Sequence, residues 1–252
     1  MKYSVCIDAL YHGRDFLEGM REVREAGIGA FEFWSWWDKD VPGIAAEKER
    51  LGLEVAAICT KFTSLVDPAG HEAYLAGLRE SIEAAKRLGC RRLISQVGAD
   101  TGGDRAKQHR ALCEWTKRSA LTLEGTDMTL LLEPLNTAVD HKGYYLSSSG
   151  EAFALIEEVG SDRVKVLFDI YHQQITEGSI IRNIRENISK IGHFHAAGCP
   201  GRHELDTGEL NYPNIFRAIR ETGYRGYMGL EYFPEKPALE GLKKIAEKNN
   251  AY

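Results

Sequence analysis

The chain has 252 residues, 43% of them hydrophobic and 27% charged, with 25 Gly and 7 Pro. That mixture is too apolar for a disordered segment, and a formal net charge of −5 runs against a general affinity for nucleic acid or anionic membrane. No apolar run approaches the roughly 18 residues of a membrane-spanning helix, and the opening MKYSVCIDAL lacks the charged-apolar-small order of a signal peptide. A cytoplasmic protein without membrane or nucleic-acid partners is expected.

In chain order, KYSVCID reads as a first strand ending near Asp8. A repeated grammar follows: a helical stretch ends at or near Gly, a short apolar run begins, and a polar residue closes it. REAGIGAFEFW brings the second run to Glu32, KERLGLEVAAICTK the third to Thr60, and AKRLGCRRLISQ the fourth to Gln96. LEGTDMTLLLEP, EVGSDRVKVLFD, ISKIGHFHAAG and ETGYRGYMGLEY supply four more, ending near Glu133, Asp169, His195 and Glu231. Between strands lie helical patterns such as His71–Leu88, where Tyr74, Leu75, Leu78, Ile82, Ala85 and Leu88 recur at three- and four-residue steps. Gly at a helix end is the expected left-handed cap.

Eight strands alternating with helices imply a parallel sheet, because parallel neighbours need long crossovers. Eight such units in about 250 residues have the size of a closed (β/α)8 TIM barrel. One barrel domain spanning 1–252 is the reading, with its active site at the C-terminal ends of the strands. A doubly wound open sheet is the runner-up. It wants a Gly-rich phosphate turn after the first strand, and Asp8–Gly13 carries none.

Five cysteines (Cys6, Cys59, Cys90, Cys113 and Cys199) are scattered without a CxxC pair, which fits a reducing compartment. Cys6 and Cys59 lie in apolar runs as small core residues. Cys199, in a loop, is a minor candidate for a nucleophile.

Four strand ends stand out because each closes a strongly apolar run: Glu133, Asp169, His195 and Glu231. A buried carboxylate costs several kcal/mol unless it is paired or coordinates a metal. A structural ion pair explains any one of them. Convergence on one cation explains all four, on strands five to eight. Three carboxylates and an imidazole suit Mn²⁺, Mg²⁺ or Co²⁺ better than a closed structural zinc site. A hydroxy-carbonyl compound is the natural chelating substrate: the metal polarises the carbonyl and holds the enediolate, and Glu133 and Glu231 remove or return a proton.

The stretches LLEPLN, FDIYHQQITEG, IGHFHAAGCPGRHELDTGELNYPNIF and GYMGLEYFP resemble the hydroxypyruvate isomerase group of the xylose isomerase-like barrel superfamily. That superfamily also holds ketose 3-epimerases, inosose dehydratases and endonuclease IV-type enzymes. The resemblance covers nearly the whole chain and is most specific in residues 129–234, above all in Gly201–Glu204 and Gly208–Tyr212. It implies metal ligands at Glu133, Asp169, His195 and Glu231, with the two glutamates as acid and base. It also implies substrate contacts at His172 and Arg202. Some hydroxypyruvate isomerases carry Gln where this chain has His195, whereas ketose 3-epimerases typically carry His.

The remaining candidates keep two readings each. His172, three residues past Asp169, is placed in a loop above the site, contacting a substrate oxygen or simply satisfied there. Arg202 clamps a substrate carboxylate or pairs with Glu204 at the surface. His193 points to the same strand face as His195, one layer deeper, as a supporting residue. Trp34, Trp36 and Trp37 wall the pocket, form a contact in a homodimer or homotetramer, or pack internally. Lys61, after strand three, reaches the pocket as a substrate contact or stays exposed. The favoured function is isomerisation of hydroxypyruvate to tartronate semialdehyde. Ketose 3-epimerisation is the alternative. A phosphodiesterase of the endonuclease IV type and a non-catalytic binding barrel are the readings from other classes.

Overall fold

The computed structural model describes residues 1–249. Its strands are β1 (Lys2–Cys6), β2 (Ala30–Phe33), β3 (Glu54–Cys59), β4 (Arg92–Ser95), β5 (Thr129–Leu132), β6 (Val164–Asp169), β7 (Ile191–Ala196) and β8 (Tyr227–Leu230). They close in sequence order, β8 pairing back onto β1, and every pairing is parallel. The helices are α1 (Ile7–Leu10), α2 (Phe16–Glu25), α3 (Val41–Leu51), α4 (His71–Leu88), α5 (Arg105–Thr122), α6 (Ser149–Val159), α7 (Ile170–Thr176), α8 (Ile180–Asn187), α9 (Tyr212–Glu221) and α10 (Ala238–Asn249). This is the expected (β/α)8 barrel. Among the described residues no helix is long and apolar enough to cross a membrane.

The helix–Gly–strand grammar has the expected physical basis. Gly89 closes α4 with φ 65°, a left-handed conformation that takes a donor-to-carbonyl bond back onto Ala85 and suits a residue without Cβ. Strand ends fall within two residues of their expected positions. The largest departure is at β1, where Ile7–Leu10 turn into α1 and carry Asp8 out of the strand.

Alternation along the strands makes two cores. Outward residues such as Val5, Phe31, Phe33, Ile58, Leu93, Leu130, Phe168 and Phe194 join the large cluster under the helices. Inward residues Ala57, Cys59, Ile94, Leu131 and Leu167 form a small second cluster inside the barrel, on β3 to β6. The register pairs Asp169 with His195, and His195 with Gly229 two residues before Glu231. Polar residues at the ends of separate strands are thereby brought to one level.

Candidate active site

At the C-terminal mouth, Glu133, Asp169, His195 and Glu231 are all buried, and one ligand-type atom from each lies within 4.8 Å of the others. His195 Nδ1 is 3.3 Å from Glu231 Oε2 and 3.7 Å from Glu133 Oε1. Asp169 is oriented by its own helix: Oδ1 accepts the Tyr171 N–H at 2.8 Å as the N-cap of α7. Its Oδ2 is buried without a hydrogen bond, as is His195 Nδ1. Buried polar atoms left without partners, beside two more carboxylates, form a ligand set that fits a hard divalent cation.

Electrostatics separate the carboxylates. Burial pushes Glu133 up to about 8, against the attraction of His195. Burial also raises Asp169 to about 6, partly offset by Arg202. Glu231 is held well below the usual carboxylate range: burial opposes this, but His195, Arg202 and the Trp34 hydrogen bond outweigh it. Glu231 Oε1 accepts from Trp34 Nε1 at 2.6 Å and Oε2 from Arg202 at 2.5 Å. A bound cation would shift all three toward the charged form.

His172 lies in α7 rather than in a loop, fully buried. Both the Asn136 backbone N–H (3.4 Å) and its side-chain amide (2.7 Å) donate to Nδ1, which places the ring hydrogen on Nε2. That Nε2 has no hydrogen-bond partner and lies 3.5 Å from Asp169 Oδ2. Burial, then Arg202, push the imidazole well below its ordinary range, so it is neutral. A free N–H thus faces the site.

Arg202 projects into the site from the loop after β7. It adopts φ 58°, donates its N–H to Gly198 and receives the Phe233 N–H, which fixes the loop at both ends. Its guanidinium lies 3.6 Å from Asp169, beside its bond to Glu231. A surface pair with Glu204 is not formed, because the Glu204 carboxylate accepts the backbone N–H groups of Glu235 and Lys236.

Residues 20–248 match the family described as xylose isomerase-like TIM barrel. The chain belongs to that family. It is 31% identical over 250 residues to 2-oxo-tetronate isomerase of Cupriavidus necator, covering 96% of each chain. Hydroxypyruvate isomerase of Escherichia coli is 30% identical over 259 residues, covering 96% of this chain and 97% of that one. A crystal structure from Brucella melitensis, described as AP endonuclease, family 2, superposes with a TM-score of 0.92 at 31% identity, covering 98% of both chains. This member of the xylose isomerase-like family is an enzyme of the isomerase type.

Other expected contacts divide. Trp34 faces the site, whereas Trp36 bonds Ser81 at 3.2 Å and Trp37 packs edge-on against exposed Phe62. Lys61 is not brought to the cluster: its ammonium pairs with Glu80 on α4 and lies 5.5 Å from the Trp36 ring. All five cysteines are buried and free.

His193 lies beneath His195 and leads to a residue that sequence reasoning passed over. Glu32 Oε2 is 2.8 Å from His193 Nε2 and accepts from Ser4 Oγ at 3.1 Å, while Oε1 is 2.9 Å from His195 Nε2. The last contact is within ion-pair distance but off the line of a hydrogen bond. Burial opposes the charge on Glu32, yet the two imidazoles bring it down to about 2. The available signal was a Glu at the end of an apolar strand, in the short run AFEF.

Proposed function

We propose that this enzyme is a metal-dependent isomerase of small 2-oxo-3-hydroxy acids, with hydroxypyruvate and tartronate semialdehyde as the favoured pair. The observation that carries the reading is the meeting of two carboxylates suited to proton transfer with the Arg202 guanidinium, which suits a substrate carboxylate. Both isomerase relatives are named for acids of this type.

Glu133, Asp169, His195 and Glu231 would hold the cation. When bound, it polarises the substrate carbonyl and offsets the charge that develops on oxygen. Glu133 or Glu231 takes the proton from C3 of hydroxypyruvate, and the C–H electron pair becomes the C2=C3 bond of an enediolate. A carboxylic acid returns a proton to C2, and the C3 hydroxyl proton passes to the C2 oxygen, leaving an aldehyde at C3 and a hydroxyl at C2. The His172 Nε2–H donates to a substrate oxygen, with Asn136 holding the ring. Trp34 keeps the Glu231 carboxylate in place.

Epimerisation of a ketose at C3 is the second reading, favoured by His195 as the fourth donor with Nδ1 turned toward Glu133 and Glu231. It uses the same proton removal and returns the proton to the opposite face. The endonuclease description of the Brucella relative does not favour phosphodiester cleavage here, since 37 acidic against 32 basic side chains make a poor DNA surface.

NMR of substrate exchange in D₂O tests these readings, with Mn²⁺ or Mg²⁺ and hydroxypyruvate, tetruloses, or C5 and C6 ketoses. Hydroxypyruvate should turn over with deuterium entering C2 of the product. Turnover of ketoses with hydroxypyruvate untouched would favour the epimerase. Product free of deuterium would point to a hydride shift and overturn the acid–base mechanism.

A further inference from the structure

We propose that Glu32 is a positioning residue that sets which nitrogen of His195 faces the three carboxylates. The inference rests on the reading of Glu133, Asp169, His195 and Glu231 as a cation site and names a residue outside that set. His195 presents Nε2 to Glu32 at 2.9 Å and Nδ1 to Glu231 at 3.3 Å. A ring turned over would place carbon where Glu32 now meets Nε2. Both side chains are buried, so trading that polar contact for carbon is disfavoured.

Glu32 is itself held from two other strands. His193 Nε2 and Ser4 Oγ both engage Oε2, which leaves Oε1 for His195. His193 and Glu32 are both buried, and His193 Nε2 lies within hydrogen-bond distance of Glu32 Oε2. Gly229 leaves room for this arrangement. A Cβ on Gly229 would stand 2.1 Å from Glu32 Oε1 and 2.6 Å from His195 Cδ2, so glycine is what lets the two side chains meet. A carboxylate behind a ligating imidazole is a general way to orient it toward a metal.

Glu32, His193 and His195 also lie close enough together to be a metal group in their own right, sharing His195 with the first. The Ser4 and His193 hydrogen bonds to Glu32 favour closure by protons.

Mn²⁺ titration of the whole ion-free chain by calorimetry, with spin-echo detection of imidazole nitrogen on the bound ion, tests the proposal. Wild type should bind about one Mn²⁺ with a nitrogen signal. Glu32→Gln should bind roughly 10–100-fold more weakly with that signal diminished. In a His195→Ala background the same change should cost nothing further, because Glu32 acts through His195. His193→Phe, which leaves His195 untouched, should weaken binding by a smaller factor and serves if Glu32→Gln does not fold.

An unchanged affinity and nitrogen signal in folded Glu32→Gln, or in His193→Phe if it alone folds, overturns the positioning role. So does an equal loss with and without His195, which would mark a structural effect. Two Mn²⁺ in wild type falling to one in Glu32→Gln would assign Glu32 to a second metal site instead. No uptake by wild type would remove the cation site and this inference together.

Discussion

The inside of the barrel has two unlike sides. On β3 to β6 its lower layer is Ala57, Cys59, Ile94, Leu131 and Leu167, a buried apolar cluster. On β1, β2, β7 and β8 the inward positions include Ser4, Glu32, His193 and His195, linked by hydrogen bonds and close ionic contacts, with Gly229 leaving room beside them. The contrast teaches that the candidate site is not simply laid on top of a uniform core. One side of the core supplies tight packing, and the other carries polar support down to the strand interior. Only Glu133 and Asp169 rise from the apolar side, each directly after or at the end of its strand.

The contrast breaks most sharply if the mouth is altered without touching either side. Glu133→Gln and Glu231→Gln should each lower turnover by about 10²–10⁴, with the fold intact by circular dichroism. Near-normal rates in both variants would remove them as the acid and base. A change on the apolar side should do the reverse. Leu131→Ala should cost about 2–5 kcal/mol of stability in chemical denaturation, while the folded protein keeps its Mn²⁺ affinity. A matched loss of metal affinity would show the two sides to be energetically one.

A smaller effect sharpens the substrate side of the argument. Arg202→Ala should reduce kcat/KM on hydroxypyruvate roughly 10–100-fold more than on a neutral ketose, as expected for loss of a charge-assisted contact of about 1.5–3 kcal/mol. Equal losses on both would detach Arg202 from carboxylate recognition. The smallest effect lies outside the barrel. Lys61→Ala breaks a half-exposed pair with Glu80, and such pairs contribute about 0.2–1 kcal/mol. Its kcat/KM should stay within about twofold of wild type, an expectation built on the same small magnitude. A tenfold fall would place Lys61 on the substrate after all.

The strands, the α4 helix and the four mouth residues were legible because each is written locally. Apolar runs closed by a polar residue mark strand ends, and Gly after a helical stretch marks the cap. Those signals do not depend on which strand lies beside which. Glu32 was harder to read as part of the site. Its strand is four residues long, and nothing nearby in the chain announces His193, 161 positions away. The same holds for Trp34 and Glu231, which meet across 197 positions.

By itself, then, the sequence determined the alternation of strands and helices, the barrel class and which polar residues end the apolar runs, since side-chain periodicity and backbone capping act over a few residues. Tertiary structure alone decided which of those residues share a level and what supports them. Barrel closure brings β8 against β1, and strand register aligns Asp169 with His195 and His195 with Gly229. It also decided that Asp8 lies in α1 and accepts the Trp34 N–H, that His172 belongs to a helix with its free N–H at the site, and that Lys61 pairs with α4. Distances of 2.5–2.9 Å in the Arg202–Glu231, Trp34–Glu231 and Glu32–His195 contacts depend on all eight strands closing together. Hydrogen bonds form only over such short distances and ion pairs weaken as charges separate, so the partners of a charged residue are settled by the closed fold.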